Sequence, residues 1–173
     1  MTTDDQLFLE FRQGSRDAFQ ELFERYRDPL YGFFRRRLDN PARAEELAQD
    51  CFVALLCNAA RYEPRATFRS YLYGIAIHLV FAERRKAGRE VAKDGEIDDP
   101  ATRENPDAAL WVRRALERLE KNDREILMLR EYEQLSYAEI GGLLLLPVNT
   151  VRSRLFRARM ALKEQLTPVQ GNN

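Results

Sequence analysis

Between Arg152 and Lys163 the chain reads RSRLFRARMALK, with five basic residues and no acidic one. At about 3.6 residues per helical turn, Val151, Leu155, Ala158 and Leu162 fall at i, i+4, i+7 and i+11 and form one apolar stripe. Arg152, Phe156, Arg159 and Lys163 fall on the adjacent stripe, with Ser153 and Arg157 beside them. Arginine can donate two hydrogen bonds to guanine, serine can bond several bases, and phenylalanine can pack on a thymine methyl. Thr150, at the helix start, offers a hydroxyl and nearby amides to a phosphate. The chemistry suggested is recognition of a polyanion, although a solvated basic helix would show the same pattern.

Covalent chemistry finds little support in the residues. No ordered nucleophile, base and orienting group appears, no glycine-rich phosphate loop, and His78 is the single histidine. Cys51 and Cys57 stand six apart without partners at metal-ligand spacing, so both are expected to be buried thiols, with no metal and no cofactor.

The net charge of zero conceals a regional imbalance. Residues 1–87 hold 14 basic and 13 acidic side chains, residues 88–107 hold 3 and 7, and residues 108–173 hold 11 and 8. An acidic middle therefore masks a basic C-terminal part, and local charge is what a polyanion meets. The apolar run Tyr71–Ala82 is broken by Gly74 and His78 and falls short of the roughly 20 residues that span a bilayer. The acidic start MTTDDQLFLEF lacks the order of a signal peptide. A cytoplasmic protein without membrane insertion is expected.

Apolar residues recur at helical spacing almost throughout, which predicts an all-α fold. Residues 1–87 and 108–173 form two small helical domains, joined by a flexible acidic linker over residues 88–107. In the first, a block over Asp17–Leu38 carries Phe19, Phe23, Tyr26, Leu30 and Phe34, with Pro29 opening a new turn. A second helix is capped by Asn40, starts at Pro41 and buries Leu47, Cys51, Ala54, Leu55 and Asn58. A third runs from Phe68 to Lys86, with Gly88 as a stop. The second domain opens near Ala108. There Asn122 caps a helix with Ile126, Leu127, Leu129 and Tyr132 as core, and Ser136 with Glu139 makes a capping box. A turn through Pro147 and Asn149 then starts the basic helix, which docks on Ile140, Leu143 and Leu144 in a helix-turn-helix arrangement.

On these residues rests a resemblance. LSYAEIGGLLLLPVNTVRSRLFRARMALKEQL looks like region 4 of bacterial sigma factors of the extracytoplasmic-function (ECF) group. DAFQELFERYRDPLYGFFRRRL, AEELAQDCFVALL and RYEPRATFRSYLYGIA resemble region 2 of the same family, in the order the family requires. The match covers about Asp17 to Leu166. It implies a region 2 helical bundle and a region 4 helix-turn-helix. It also implies an alternative sigma factor, not an enzyme, that binds core RNA polymerase, directs it to promoter DNA and assists melting.

The resemblance further assigns residues. Glu46, Gln49 and Asp50 would contact the clamp of the polymerase's largest subunit, and region 4 the flap of the second-largest. Arg61, Tyr62, Arg65, Phe68, Arg69, Tyr71, Tyr73 and His78 would serve the minus-ten element, whose extruded base the loop Arg61–Phe68 would hold. Thr150, Arg152, Ser153, Arg154, Phe156, Arg157 and Arg159 would read the minus-thirty-five element. An anti-sigma factor is an expected partner. Departures from the family pattern are Tyr71, Gly74 and Ile77 in place of tryptophan and two arginines, the pair Gly141 and Gly142, and Leu145 and Asn149 where glycine is common. For Leu145 the expectation is a turn that avoids positive φ. The residues alone would also suit a stand-alone DNA-binding regulator, or a protein that binds polymerase without DNA.

Overall fold

The computed structural model describes residues 1–94 and 108–167, and every regular element among them is helical. They fall into two compact units. In the first, α1 (Asp4–Arg12), α2 (Arg16–Arg35), α3 (Pro41–Asn58) and α4 (Phe68–Asp94) pack together, with a 3-10 turn over Ala59–Arg61. Each helix start has a local cause. Thr3, Ser15 and Asn40 accept the amides of Gln6, Ala18 and Arg43, all at 3.2 Å, and Pro41 occupies the first turn of α3. At α4, Thr67 Oγ1 accepts the Ser70 amide at 3.2 Å, while Asp5 reaches across from α1 to accept the Phe68 amide at 2.6 Å.

The sequence reading has no helix before Asp17, yet α1 buries Leu7 and Phe8 in the core with Leu22, Leu30, Phe33, Phe34, Leu72 and Ile77. Its shortness hides its periodicity. Pro29 lies within α2 and does not open a new turn. Phe19 and Phe23 are half-buried and meet the ring of Phe52 from α3. Asn58, expected in the core, is exposed and donates to the Ala54 carbonyl, while Ala44, Ala48 and Phe52 fill the stripe instead. Cys57 is likewise exposed, against the expectation of two buried thiols, because six residues at about 3.6 per turn carry it roughly a third of the way round the helix from Cys51. The third helix continues past Lys86 and Gly88 to Asp94, since a glycine costs a helix only about 1 kcal/mol and Gly88 meets no packing demand. The rest of the expected linker lies outside the described residues.

In the second unit, α5 (Ala108–Glu117), α6 (Lys121–Glu131), α7 (Tyr137–Leu144) and α8 (Val148–Leu166) surround Ile126, Leu129, Leu135, Ile140, Val151 and Leu155. Asn122 is not the cap of α6. The helix begins one residue earlier, at Lys121, behind Glu120. Tyr132, expected in the core, is exposed just past the end of α6. The capping box of α7 is complete: Ser136 Oγ accepts the Glu139 amide at 3.1 Å and the Glu139 carboxylate accepts the Ser136 amide at 2.7 Å.

The turn between α7 and α8 uses left-handed geometry after all, with Leu145 at φ 56° and ψ 45°. The Leu145 and Leu146 amides both reach the Gly141 carbonyl, closing the end of α7. Leu145 is 89% exposed, and nothing in the structure explains a leucine there. Gly141 has a clear reason. A Cβ at that position would stand 2.7 Å from the Leu146 carbonyl oxygen, so the tight turn requires its absence. Asn149 does not cap α8, which starts at Val148. Its side chain accepts from Arg152 at 3.2 Å instead.

Two measurements follow from this packing. Leu145→Gly should stabilise the second unit by about 1 kcal/mol by relieving the left-handed strain, and Gly141→Ala should destabilise it by about 1–3 kcal/mol; urea titration reads both. The Cys51 thiol is pushed up to about 12 by burial and its Sγ faces the Leu72 carbonyl at 3.8 Å. Iodoacetamide at neutral pH should therefore alkylate Cys57 in the native protein and Cys51 only in denaturant, with peptide mass mapping as the readout.

Candidate nucleic-acid interface

On α8 the stripe Val151, Leu155 and Ala158 is buried against the unit, so the opposite face of the helix looks outward. Ser153, Phe156 and Met160 lie on that outer face, and the Phe156 ring is 68% exposed. Arg152 is exposed beside them, with its guanidinium 5.9 Å from the Tyr137 ring centroid. Ser153 donates to the Thr150 carbonyl at 3.1 Å, and Thr150 is half-buried at the helix start.

The remaining arginines do a second job. Arg157 makes two bonds to Asp123, at 2.7 and 2.8 Å, and one to Glu120 at 3.1 Å. Asp123 is only 5% exposed, so this pair ties α8 to the N-terminal turn of α6. Arg159 contacts Glu131 at 2.6 Å at the other end of α6. These carboxylates hold both guanidinium groups above their ordinary range, chiefly through the hydrogen bonds. Arg154 is half-buried, and its Nη1 has no hydrogen-bond partner among the described residues. The predicted site residues of α8 are thus one helix but two groups. Arg152, Ser153 and Phe156 face outward without acidic partners among the described residues, while Arg157 and Arg159 flank them as braced cations.

In the first unit the loop 61–67 turns on itself. Tyr62 donates its hydroxyl proton to the Ala66 carbonyl at 2.6 Å, and Arg65 pairs with Glu63 at 2.8 Å. Tyr62 and Tyr71 pack with centroids 4.7 Å apart, and Phe8 of α1 supports both, at 5.0 and 5.9 Å. Both tyrosines are half-buried and form an aromatic shelf, their hydroxyls held above the usual range mainly by burial.

Phe68 and Tyr73, named with them from the sequence, are core side chains, because the phase of α4 turns them toward α1 and α2. Arg69 faces inward to the Tyr26 hydroxyl at 3.5 Å, and Tyr26 in turn bonds Asp4 at 2.5 Å. Burial, then that bond, pushes the Tyr26 phenol up to about 12. Arg61 is exposed. His78 is exposed too, on the row Tyr71, Ile75, His78 and Ala82 that continues the shelf along α4. The sequence left its role open, and the structure puts it outside the core.

On α3, Glu46, Gln49 and Asp50 are exposed opposite Leu47, Cys51 and Leu55. Val53 and Leu56 stand exposed on that same face and were missed by the sequence reading. Their signal was available, since they are in phase with Gln49 and out of phase with the buried stripe. Phe8 and α1 were missed as supports of the shelf. Among the described residues no cluster of acidic, histidine or cysteine side chains could hold a metal ion, and no helix is long and apolar enough to cross a membrane.

A helix-turn-helix whose second helix presents arginine, serine and phenylalanine outward defines a DNA-binding protein. Comparison with known proteins sharpens this class. Residues 22–90 match the family described as Sigma-70 region 2, and residues 109–162 match Sigma-70, region 4. The chain is 33% identical to the RNA polymerase sigma-H factor of Pseudomonas aeruginosa, over 96% of this chain and 95% of that one. It is 29% identical to the ECF RNA polymerase sigma factor SigW of Bacillus subtilis, over 90% and 92%. Among solved structures, its fold is similar to CnrH in complex with the cytosolic domain of CnrY, with TM-score 0.71, 25% identity and coverage of 94% and 96%. It is also similar in fold to the sigma factor RpoE in complex with the anti-sigma factor NepR from Bartonella quintana, with TM-score 0.75, 24% identity and coverage of 86% and 96%. The chain belongs to the sigma-70 family of RNA polymerase sigma factors, in its ECF group. It is an alternative sigma factor, a transcription initiation factor that directs RNA polymerase to promoters.

The braced and outward arginines predict different variants. Arg157→Ala strands the Asp123 carboxylate in a buried site and should lower the melting temperature of the second unit, whereas Arg152→Ala should leave it unchanged. Thermal melts followed by circular dichroism separate the two.

Proposed function

We propose that three surfaces divide the work of initiation. The outer face of α3, with Glu46, Gln49 and Asp50 beside exposed Val53 and Leu56, docks on the clamp of the largest polymerase subunit. An apolar centre within a polar rim is the composition of a protein interface. In the second unit a groove of about 560 Å3 between α6 and α8, lined by Leu127, Leu162 and Leu166, takes the flap of the second-largest subunit.

The shelf of Tyr62 and Tyr71 holds a base extruded from the minus-ten element, with Arg61, Arg65 and His78 along the strand. Extrusion costs a few kcal/mol, which stacking on an aromatic surface offsets, so capture of the base assists melting. Phe68, Arg69 and Tyr73 shape this site from beneath. The outer face of α8 reads the minus-thirty-five element through Arg152, Ser153 and Phe156, with Thr150 at a phosphate and Arg154, Arg157 and Arg159 supplying charge at the groove edges.

The protein acts by binding alone, in the cytoplasm, and needs no cofactor. An anti-sigma factor holds it inactive by covering these faces; the complex of CnrH with the cytosolic domain of CnrY is the pattern for such a partner. The observation that carries the whole reading is the order of two compact helical units, the first matching region 2 and the second region 4.

Run-off transcription tests it. On promoters mapped from transcript starts after overexpression, specific initiation should require both this protein and core polymerase. Failure to initiate at every mapped promoter with core enzyme present would sink the reading. Sequence-specific binding to the same fragments by the protein alone would favour a stand-alone regulator.

A further inference from the structure

If the 61–67 loop holds an extruded base, some group must hydrogen-bond the edge of that base, and most polar side chains around the shelf are already engaged. Tyr62 donates to Ala66, Thr67 Oγ1 accepts from Ser70, Asp5 accepts from Phe68, Arg65 pairs with Glu63, and Arg69 faces Tyr26. Arg12, the last residue of α1, differs from all of these. It is exposed, its guanidinium carbon lies 5.6 Å from the centroid of the Tyr62 ring, and no carboxylate pairs with it among the described residues. That distance is within the range of a cation–π contact, so the ring holds the group in place without consuming its N–H donors. Its charge is felt across the shelf, where it pulls the Tyr62 and Tyr71 hydroxyls back toward the ordinary range. Arg61 is also exposed, but among the described residues no aromatic ring holds it.

We propose that Arg12 is a specificity-determining residue for the minus-ten element, donating to the edge of the base that rests on Tyr62 and Tyr71. The inference rests on the reading of this loop as a base-binding site. Guanidinium is a donor only, so it favours an edge with two adjacent acceptors. Guanine offers O6 and N7, and cytosine offers O2 and N3. Adenine and thymine alternate donors with acceptors along the corresponding edges. The favoured base at the extruded position is therefore guanine or cytosine.

The test uses the full-length protein bound to core polymerase and a mapped promoter. Bubble templates carry each of the four bases in turn at every minus-ten position of the non-template strand, and open-complex formation is measured for the wild type, Arg12→Ala and Arg12→Lys. One position should prefer guanine or cytosine. Arg12→Ala should lower complex formation on that base by about tenfold, in keeping with loss of a paired donor contact, with less than about twofold change on the other bases. Arg12→Lys should fail to restore the preference, because an ammonium lacks the planar fork.

A uniform loss over all bases that lysine restores would make Arg12 a phosphate contact and overturn the proposal. So would an unchanged preference in Arg12→Ala, or a preferred adenine or thymine. Absence of any preferred base in the wild type would instead refute the base-binding reading of the loop. Unaltered circular dichroism of the variants guards against a folding effect.

Discussion

The N-terminus of α4 must be satisfied for the first unit to hold its aromatic shelf in place. Helix starts leave amide donors unpaired, and at α4 they are met partly by the preceding residue and partly from another helix. Asp5 meets one of these amides from α1, Thr67 meets another, and a carboxylate at this end of a helix also complements its dipole. Around that contact Asp4 binds Arg25 and Tyr26, and Phe8 fills the space under Tyr62, Phe68 and Tyr71. The orientation of the aromatic shelf is thus set by a short helix far from it in sequence. α1 belongs to that shelf through its packing.

The second unit solves the opposite problem, which is how to hold a helix of like charges against a protein. Acidic residues at the two ends of α6 bracket α8, with Asp123 and Glu120 on Arg157 and Glu131 on Arg159. The bracket sets the rotation and tilt of α8. It also narrows the unpaired positive field to the outermost face, where Arg152 stands beside Ser153 and Phe156. The flanking cations are thereby neutralised within the unit itself. Gly141 and Leu145 set the angle at which α8 leaves the turn. The first does so because a side chain cannot fit, the second because its backbone takes a strained conformation.

Much of this was legible along the chain. The i, i+4, i+7 row of Val151, Leu155 and Ala158, the Ser136–Glu139 capping box and the Asn40–Pro41 start are local features, each decided within about one or two turns, and sequence displays them directly. The errors cluster where a local rule met a distant partner. Asn122 and Asn149 are good capping residues at positions where the helix had already begun. Cys57, Asn58 and Tyr132 lie near helix ends, where one residue of phase separates core from solvent. Phe68 and Tyr73 have the aromatic character of base readers, but the neighbours that bury them come from α1 and α2.

By itself the sequence determined the all-helical class, the two-unit order and the exposed faces of α3 and α8, because periodicity and charge pattern are properties of neighbouring residues. Tertiary structure alone decided which of the candidate residues are available. Arg157 and Arg159 became braces, Phe68 and Tyr73 became core, and Arg12 came to stand over Tyr62. Each of those outcomes depends on a partner tens of residues away or on a small rotation of a helix. Hydrogen bonding and burial set these in three dimensions, where spacing along the chain carries no record of them.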